Sequence, residues 1–372
     1  MIFKTQIGPL REVLGKIVTV IDKKISRPIL TFCMIEAKSE NVVEIAATDL
    51  EVSAKIQIDA HVLNEGAFCI NAKNLVDILR EMPNEEATFE ISNESNTLKL
   101  SCDEIKFTLL IFKTDDYPRI SFLNDASKFQ ISSLRVQTMI SKIYHAISSD
   151  ETKSFMNGIF LQQIDNNFRA VASDGHRLAL IEFPNFVTNN NHLLEGVIIP
   201  RKGVNELKKI ADSYPNDDME ISVDDSFAYI NVKSHYYLSI RLVARLYPKY
   251  QNVIPSKTAY QMSVDKNTFL TAARRVKLLA NEDSSSVHFS LTQERLVLKA
   301  ENPLWGDATE KISVNYQGPN LDVGFNIRYV IELISVFDDS EVTFEFNNER
   351  SPFIVKSLNF PHFFGIVMPV KI

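Results

Sequence analysis

The chain has 372 residues, 45% of them hydrophobic and 23% charged, with 40 Lys and Arg against 47 Asp and Glu for a net charge of -7. That length provides for two or three domains with cores of their own, and the acidic balance excludes a uniformly basic coat for nucleic acid while leaving room for one basic face. With 11 glycines and no G-x-G-x-x-G or G-x-x-x-x-G-K-[ST] run, a dinucleotide fold and a P-loop are excluded.

The three cysteines, Cys33, Cys69 and Cys102, are scattered and odd in number, so they form neither a disulfide framework nor a zinc knuckle. The opening MIFKTQIGPL lacks the basic and apolar blocks of a signal peptide, and no window approaches ~18 uninterrupted apolar residues. The expectation is a soluble cytoplasmic protein.

In chain order, segment 7–21 places Leu10, Leu14, Ile17 and Ile21 at steps of three and four, which predicts an amphipathic helix. The alternating run 42–58 predicts a pair of strands, and 71–83 (NAKNLVDILREMP) a second helix. Segment 133–147 repeats the helical spacing with Val136, Ile140, Ile143 and Ile147. Strands follow over 168–183, then a helix over 200–212. Segment 266–280 aligns Phe269, Ala273, Val276 and Leu279 or Ala280. The alternating ERLVLKA (294–300) and a helix over 326–338 complete the third round.

The first helices of each round begin 126 and 133 residues apart, the second helices 129 and 126 apart. The joints 114–128 and 246–260 both carry Tyr-Pro. The periodicity therefore predicts an α+β chain of three repeated domains, 1–120, 128–247 and 256–372, each with two helices on antiparallel sheet. Basic residues gather on these helices, among them Arg11, Lys16, Lys142, Lys208, Lys209, Arg274 and Arg275, while acidic residues favour strands and loops. A one-sided basic surface on an acidic protein suits a partner that is enclosed.

Several stretches, RPILTFCMIEA (27–37), ATDLEVS (47–53), NAKNLVDILREMP (71–83), MNGIFLQ (156–162), ASDGHRLAL (172–180), VIIPRKGVNEL (197–207), YPKYQNVIP (247–255), GFNIRYVIELI (324–334) and VMPVKI (367–372), resemble one family. It is the bacterial DNA polymerase III beta subunit, the replicative sliding clamp. The stretches lie in the family's order along the whole chain. The resemblance implies a closed ring of two chains joined head to tail, with helices lining the hole and duplex DNA threaded through it without sequence preference. Its activity is topological, so no catalytic residue, cofactor or metal is implied.

The same resemblance implies a partner-peptide pocket made from Met156, Ser173, Gly175, His176, Arg177 and Leu178, with Pro248 and Val253 from the second joint. Ile366, Met368, Pro369, Val370, Lys371 and Ile372 complete it from the terminus. The implied partners are the replicative polymerase alpha subunit, the clamp loader and repair polymerases, each offering a linear motif with a glutamine and a hydrophobic tail. Lys24, Lys73, Arg201 and Lys202 match the family's DNA contacts. Phe107 and Leu109 on one chain are expected to meet Leu278 and Leu279 on the other, with Lys106 opposite Asp307 or Glu310. Arg245 and Leu246 depart from the family's usual Asp-Gly turn, and 301–311 is less acidic than its counterpart.

Two other readings are open to test. One is a metal-dependent hydrolase using Asp174 and His176; the other is a peptide-binding scaffold that does not act on DNA. Ser173, Asp174 and His176 are adjacent on a strand and turn, a placement that rarely aligns a hydroxyl, an imidazole and a carboxylate. The seven histidines show no H-x₃-H spacing for a metal.

Overall fold

The computed structural model of the chain describes all residues except 22–26, 93–94, 123–124, 282–283 and 372. Seven α-helices stand among the described residues: α1 Ile7–Ile17, α2 Ala72–Glu81, α3 Ser133–Ile143, α4 Asn191–Glu195, α5 Arg201–Ser213, α6 Lys266–Lys277 and α7 Ile327–Ser335. Six are those that the apolar spacing predicts. Helix α1 buries Ile7, Leu10, Val13, Leu14 and Ile17, and α6 buries Phe269, Leu270, Ala272, Ala273 and Val276. Beyond α6 it is Ala280, 8% exposed, that continues the stripe, while Leu279 is half-buried.

Three helices start by one device. A strand ends on Asn71, Asp265 or Asn326, whose side chain accepts a hydrogen bond from a backbone N–H of the first turn. That satisfies a donor with no partner inside the helix.

The described residues divide into two compact units. One comprises residues 1–134 and 205–242, the other 135–204 and 243–372. In the first unit α1 packs on α2, and in the second α6 packs on α7. The first unit holds a five-stranded sheet that ends at the edge strand Ile105–Leu110. It also holds an eight-stranded sheet in which Tyr236–Arg241 pairs antiparallel with Val52–Asp59. The second unit holds a four-stranded sheet with Gly306–Ser313 at its edge, and a nine-stranded sheet in which Arg177–Phe183 pairs antiparallel with Phe363–Val367.

The two junction ladders explain this division. Each half of the middle repeat continues the sheet of a neighbouring repeat through main-chain hydrogen bonds, so its cohesion is with that neighbour. Packing at the second junction is close. A Cβ on Gly365 would lie 2.1 Å from Cδ1 of Leu333, so α7 rests directly on strand Phe363–Val367 where only glycine fits.

Candidate functional site

The second unit contains a cavity of about 130 Å³ lined by residues from four separated stretches of chain. Met156 comes from the 3-10 turn Ser154–Met156, and Ser173, Gly175, Arg177 and Leu178 from the hairpin between two strands. Pro248 and Val253 come from the joint, and Ile366 and Met368 from the last strand and its exit. Leu178 and Ile366 face each other across the junction ladder and form the floor. This floor is the open side of a core cluster that includes Phe160, Val171, Leu180, Ile198, Tyr250 and Ile354.

Three further lining residues, Tyr247, Lys249 and Tyr250, escape the sequence reading, which takes Pro248 and Val253 from that joint. The signal available was the aromatic pair flanking Pro-Lys. Tyr247 stacks on Phe160 with ring centroids 4.8 Å apart, and the Tyr250 hydroxyl accepts a hydrogen bond from Arg169 Nη1 at 3.1 Å. Both rings are thereby held as rigid walls. Arg245 and Leu246 do not line the cavity, and Leu246 is 94% exposed.

The hairpin has a defined internal structure. Ser173 Oγ donates to the carbonyl of Arg177 at 2.7 Å and accepts from Gly175 N at 3.2 Å. Asp174 Oδ1 accepts from the backbone N–H groups of His176 at 2.9 Å and Arg177 at 3.0 Å. Gly175 takes φ 91°, a left-handed conformation that side chains oppose. Arg177 donates through Nε to Asp174 at 3.1 Å and through Nη1 to Glu332, and its guanidinium lies 4.3 Å over the ring of Tyr329. Its charge therefore ties the hairpin to α7.

The metal-dependent hydrolase reading finds no support here: among the described residues no third His, Cys, Asp or Glu side chain gathers with Asp174 and His176 to hold a metal. The serine hydroxyl and the Asp174 carboxylate both serve the turn, and the His176 ring stacks near Tyr329 at 6.3 Å. No hydroxyl–imidazole–carboxylate line forms among them. His176 is not in the cavity wall; its carbonyl accepts from Met368 N at 2.9 Å. Pro369, Val370 and Lys371 line a separate concavity with Asp322, Gly324 and Arg350, where Val370 N donates to the Gly324 carbonyl at 2.9 Å. Ile372 lies outside the described residues. An apolar floor, aromatic walls and a few backbone polar groups suit the side chains of a short peptide.

Sequence comparisons match residues 1–121 to the N-terminal domain of the DNA polymerase III beta subunit, 130–249 to its central domain and 251–371 to its C-terminal domain. The chain belongs to the DNA polymerase III beta subunit family. It is 26% identical to the beta sliding clamp of Caulobacter vibrioides over 98% of both chains, and 25% identical to that of Pseudomonas aeruginosa over the full length of both. The crystal structure of the Caulobacter crescentus sliding clamp matches at a TM-score of 0.93 and 25% identity, covering all of both chains. The Bartonella birtlesii clamp, solved bound to griselimycin, matches with the same values. The chain is a sliding clamp, a non-catalytic processivity factor of DNA replication that binds DNA, dimerises and tethers polymerases. The scaffold reading without DNA is thereby set aside.

The basic helix residues differ in how free they are. Lys73 on α2 is exposed with no ion pair among the described residues. Arg201 donates through Nη2 to the carbonyls of Ile147 at 2.7 Å and Ser148 at 3.0 Å, and lies 5.3 Å over the Tyr144 ring. Lys202 is half-buried, and Lys24 lies outside the described residues. Several others are locally neutralised: Lys16 by Glu12 at 2.8 Å, Lys142 by Asp338 at 2.6 Å, Lys208 by Asp212 at 2.7 Å and Lys209 by Glu206 at 2.6 Å.

Phe107 and Leu109 are half-buried on edge strand Ile105–Leu110. Leu278, which caps the C-terminus of α6, is 81% exposed. Glu310 on the other edge strand is bound by Arg275, with Nε at 2.9 Å, which leaves Asp307 as the freer acidic group there.

Proposed function

We propose that partner peptides seat in the groove floored by Leu178 and Ile366, that two chains close head to tail around duplex DNA, and that Lys73, Arg201 and Lys202 face the duplex. The proposal includes three successive domains, 1–120, 128–247 and 256–372, and action in the cytoplasm, where the chromosome is. No described helix is long and apolar enough to cross a membrane.

The single observation that carries the peptide reading is the groove itself. Met156, Leu178, Val253, Ile366 and Met368 converge from four chain segments on one apolar concavity, bounded by rigid aromatic rings. Such a site recognises aliphatic and aromatic anchors of a linear motif, and the backbone polar groups at its rim suit a glutamine side chain. Among the described residues, edge strands Ile105–Leu110 and Gly306–Ser313 each lack a neighbour on one side, and apolar residues there need cover from another chain. A head-to-tail contact between two copies closes without free ends. Once linked around DNA, the ring needs only weak, non-specific phosphate contacts, so sliding is unhindered.

The test is titration of a fluorescein-labelled Gln-Ala-Leu-Leu-Phe peptide into the full chain and its Met368→Arg variant, followed by anisotropy. Placing a charge in the apolar wall should weaken binding about thirtyfold, the roughly 2 kcal/mol expected for such a change. Equal binding by both proteins, with the fold intact by circular dichroism, would remove the groove from the account.

A further inference from the structure

The first unit contains a cavity of about 220 Å³ that repeats the construction of the peptide groove at the other sheet junction. We propose that it is a second peptide site, selective for a linear segment carrying an acidic side chain. Its ligand class rests on the peptide reading of the first groove; its position and its selectivity rest on the hydrogen bonds and side chains of the first unit itself.

The correspondence holds bond by bond. Thr48 Oγ1 donates to the Val52 carbonyl at 3.2 Å and accepts from Leu50 N at 2.9 Å. Asp49 Oδ1 accepts from the backbone N–H of Glu51 at 3.0 Å and of Val52 at 2.8 Å. The hairpin at Ser173 and Asp174 makes the same four contacts at the same offsets. Leu50 takes φ 77° where Gly175 takes 91°. A leucine rarely adopts that conformation, and here its side chain is 40% exposed and lines the cavity. Pro118 follows Tyr117 as Pro248 follows Tyr247, and both prolines line their cavities.

The floor is where the two sites differ. Ser53 faces Ser239 across the ladder between the neighbouring sheets, at the position that Leu178 and Ile366 hold in the first groove. Thr48 adds a third hydroxyl, 2.7 Å from that of Ser53. Phe227 and Tyr229, with ring centroids 6.0 Å apart, supply the aromatic wall. Arg119 stands exposed at the rim with no ion pair among the described residues. Thr48 gives its proton to Val52 and Ser53 gives its own to Thr48, so the Ser239 hydroxyl is the donor offered from below. That hydroxyl and the unneutralised guanidinium above favour a carboxylate over an aliphatic anchor, and Leu50 offers contact to an apolar neighbour of that carboxylate.

The probe is fluorescein-labelled Gly-Leu-Asp-Leu-Gly, titrated by anisotropy into the full chain, with Gly-Leu-Asn-Leu-Gly as its neutral counterpart. Binding of the acidic peptide is expected to fall at least about tenfold with Arg119→Glu and with Ser53→Leu, and to be unchanged in Met368→Arg. The neutral peptide should bind about tenfold more weakly to the unmodified chain. No binding, insensitivity to Arg119→Glu, loss in Met368→Arg, or displacement by excess inorganic phosphate would each overturn the proposal; the last would mark a general anion site. If the glutamine-led peptide binds and the acidic one does not, only this inference falls. If neither binds, the reading of the first groove falls with it.

Discussion

His145 lies in the 3-10 turn Tyr144–Ala146 after α3, with a buried Nδ1 that has no hydrogen-bond partner among the described residues. Burial, reinforced by the nearby positive charge of Arg177, pulls its imidazole down to about 3. The unfolded chain takes up this proton near the ordinary value of about 6.5, so the neutral ring contributes stability that is lost as pH falls below that value. Replacing His145 with leucine removes the proton difference. The fall in melting temperature between about pH 6.5 and 5, above the range of ordinary carboxylates, should become shallower than in the unmodified chain. A profile of unchanged slope would assign the acid sensitivity elsewhere. Nothing in the spacing of the seven histidines marks His145 out, because enclosure of one nitrogen depends on which segments pack around it.

At the level of elements, the helices that carry an apolar stripe over three turns were legible, and so were their starts. Helix α4 was not. Its five residues are too few for a period, and it is held by the Asn190 side chain accepting from Leu193 N at 3.1 Å. The end of α6 shows the limit of periodicity in another way. The spacing left Leu279 and Ala280 as alternatives for the core; packing buries Ala280, leaves Leu279 half-buried and leaves Leu278 exposed. An exposed and a half-buried leucine near the edge strand Gly306–Ser313 are accounted for if a second chain covers them. Leu278→Ala combined with Leu279→Ala should then cost roughly 2–5 kcal/mol for each leucine buried at the contact, enough to shift the dimer toward monomer. Sedimentation equilibrium at micromolar concentration reads this directly, and an unchanged dimer mass would exclude these leucines from the interface.

For the whole molecule, the repeat of 126 to 133 residues is a feature of sequence, while cohesion divides the described chain into two units. The middle repeat supplies strands to both junction sheets, through the ladders at Ser53–Ser239 and Leu178–Ile366. Charge is also redistributed by folding. Many helix lysines and arginines meet carboxylates on their own unit, so a count of basic residues overstates the free positive charge. Lys73, which has no such partner among the described residues, is therefore the sharper probe of DNA contact. Lys73→Ala should weaken retention on circular duplex DNA uniformly across sequences and lower the slope of log affinity against log salt by about one. An unaltered slope would show that this lysine faces away from the duplex.

From the sequence alone came the α+β class, the threefold period, six of the seven described helices, the absence of phosphate-cradling loops and the family. The class and the helices rest on apolar spacing within a few turns; the period and the family rest on the order and spacing of such segments and motifs along the whole chain, which need no knowledge of what packs against what. Only the tertiary structure decided that Tyr247, Lys249 and Tyr250 join the groove wall, that Pro369 to Lys371 line a separate concavity, and that two serines meet at the first junction where two aliphatic residues meet at the second. The physical reason is that these outcomes depend on which separated segments pack and which strand edges pair and in what register; Ser53 and Ser239, and Leu178 and Ile366, meet across more than 180 residues of chain.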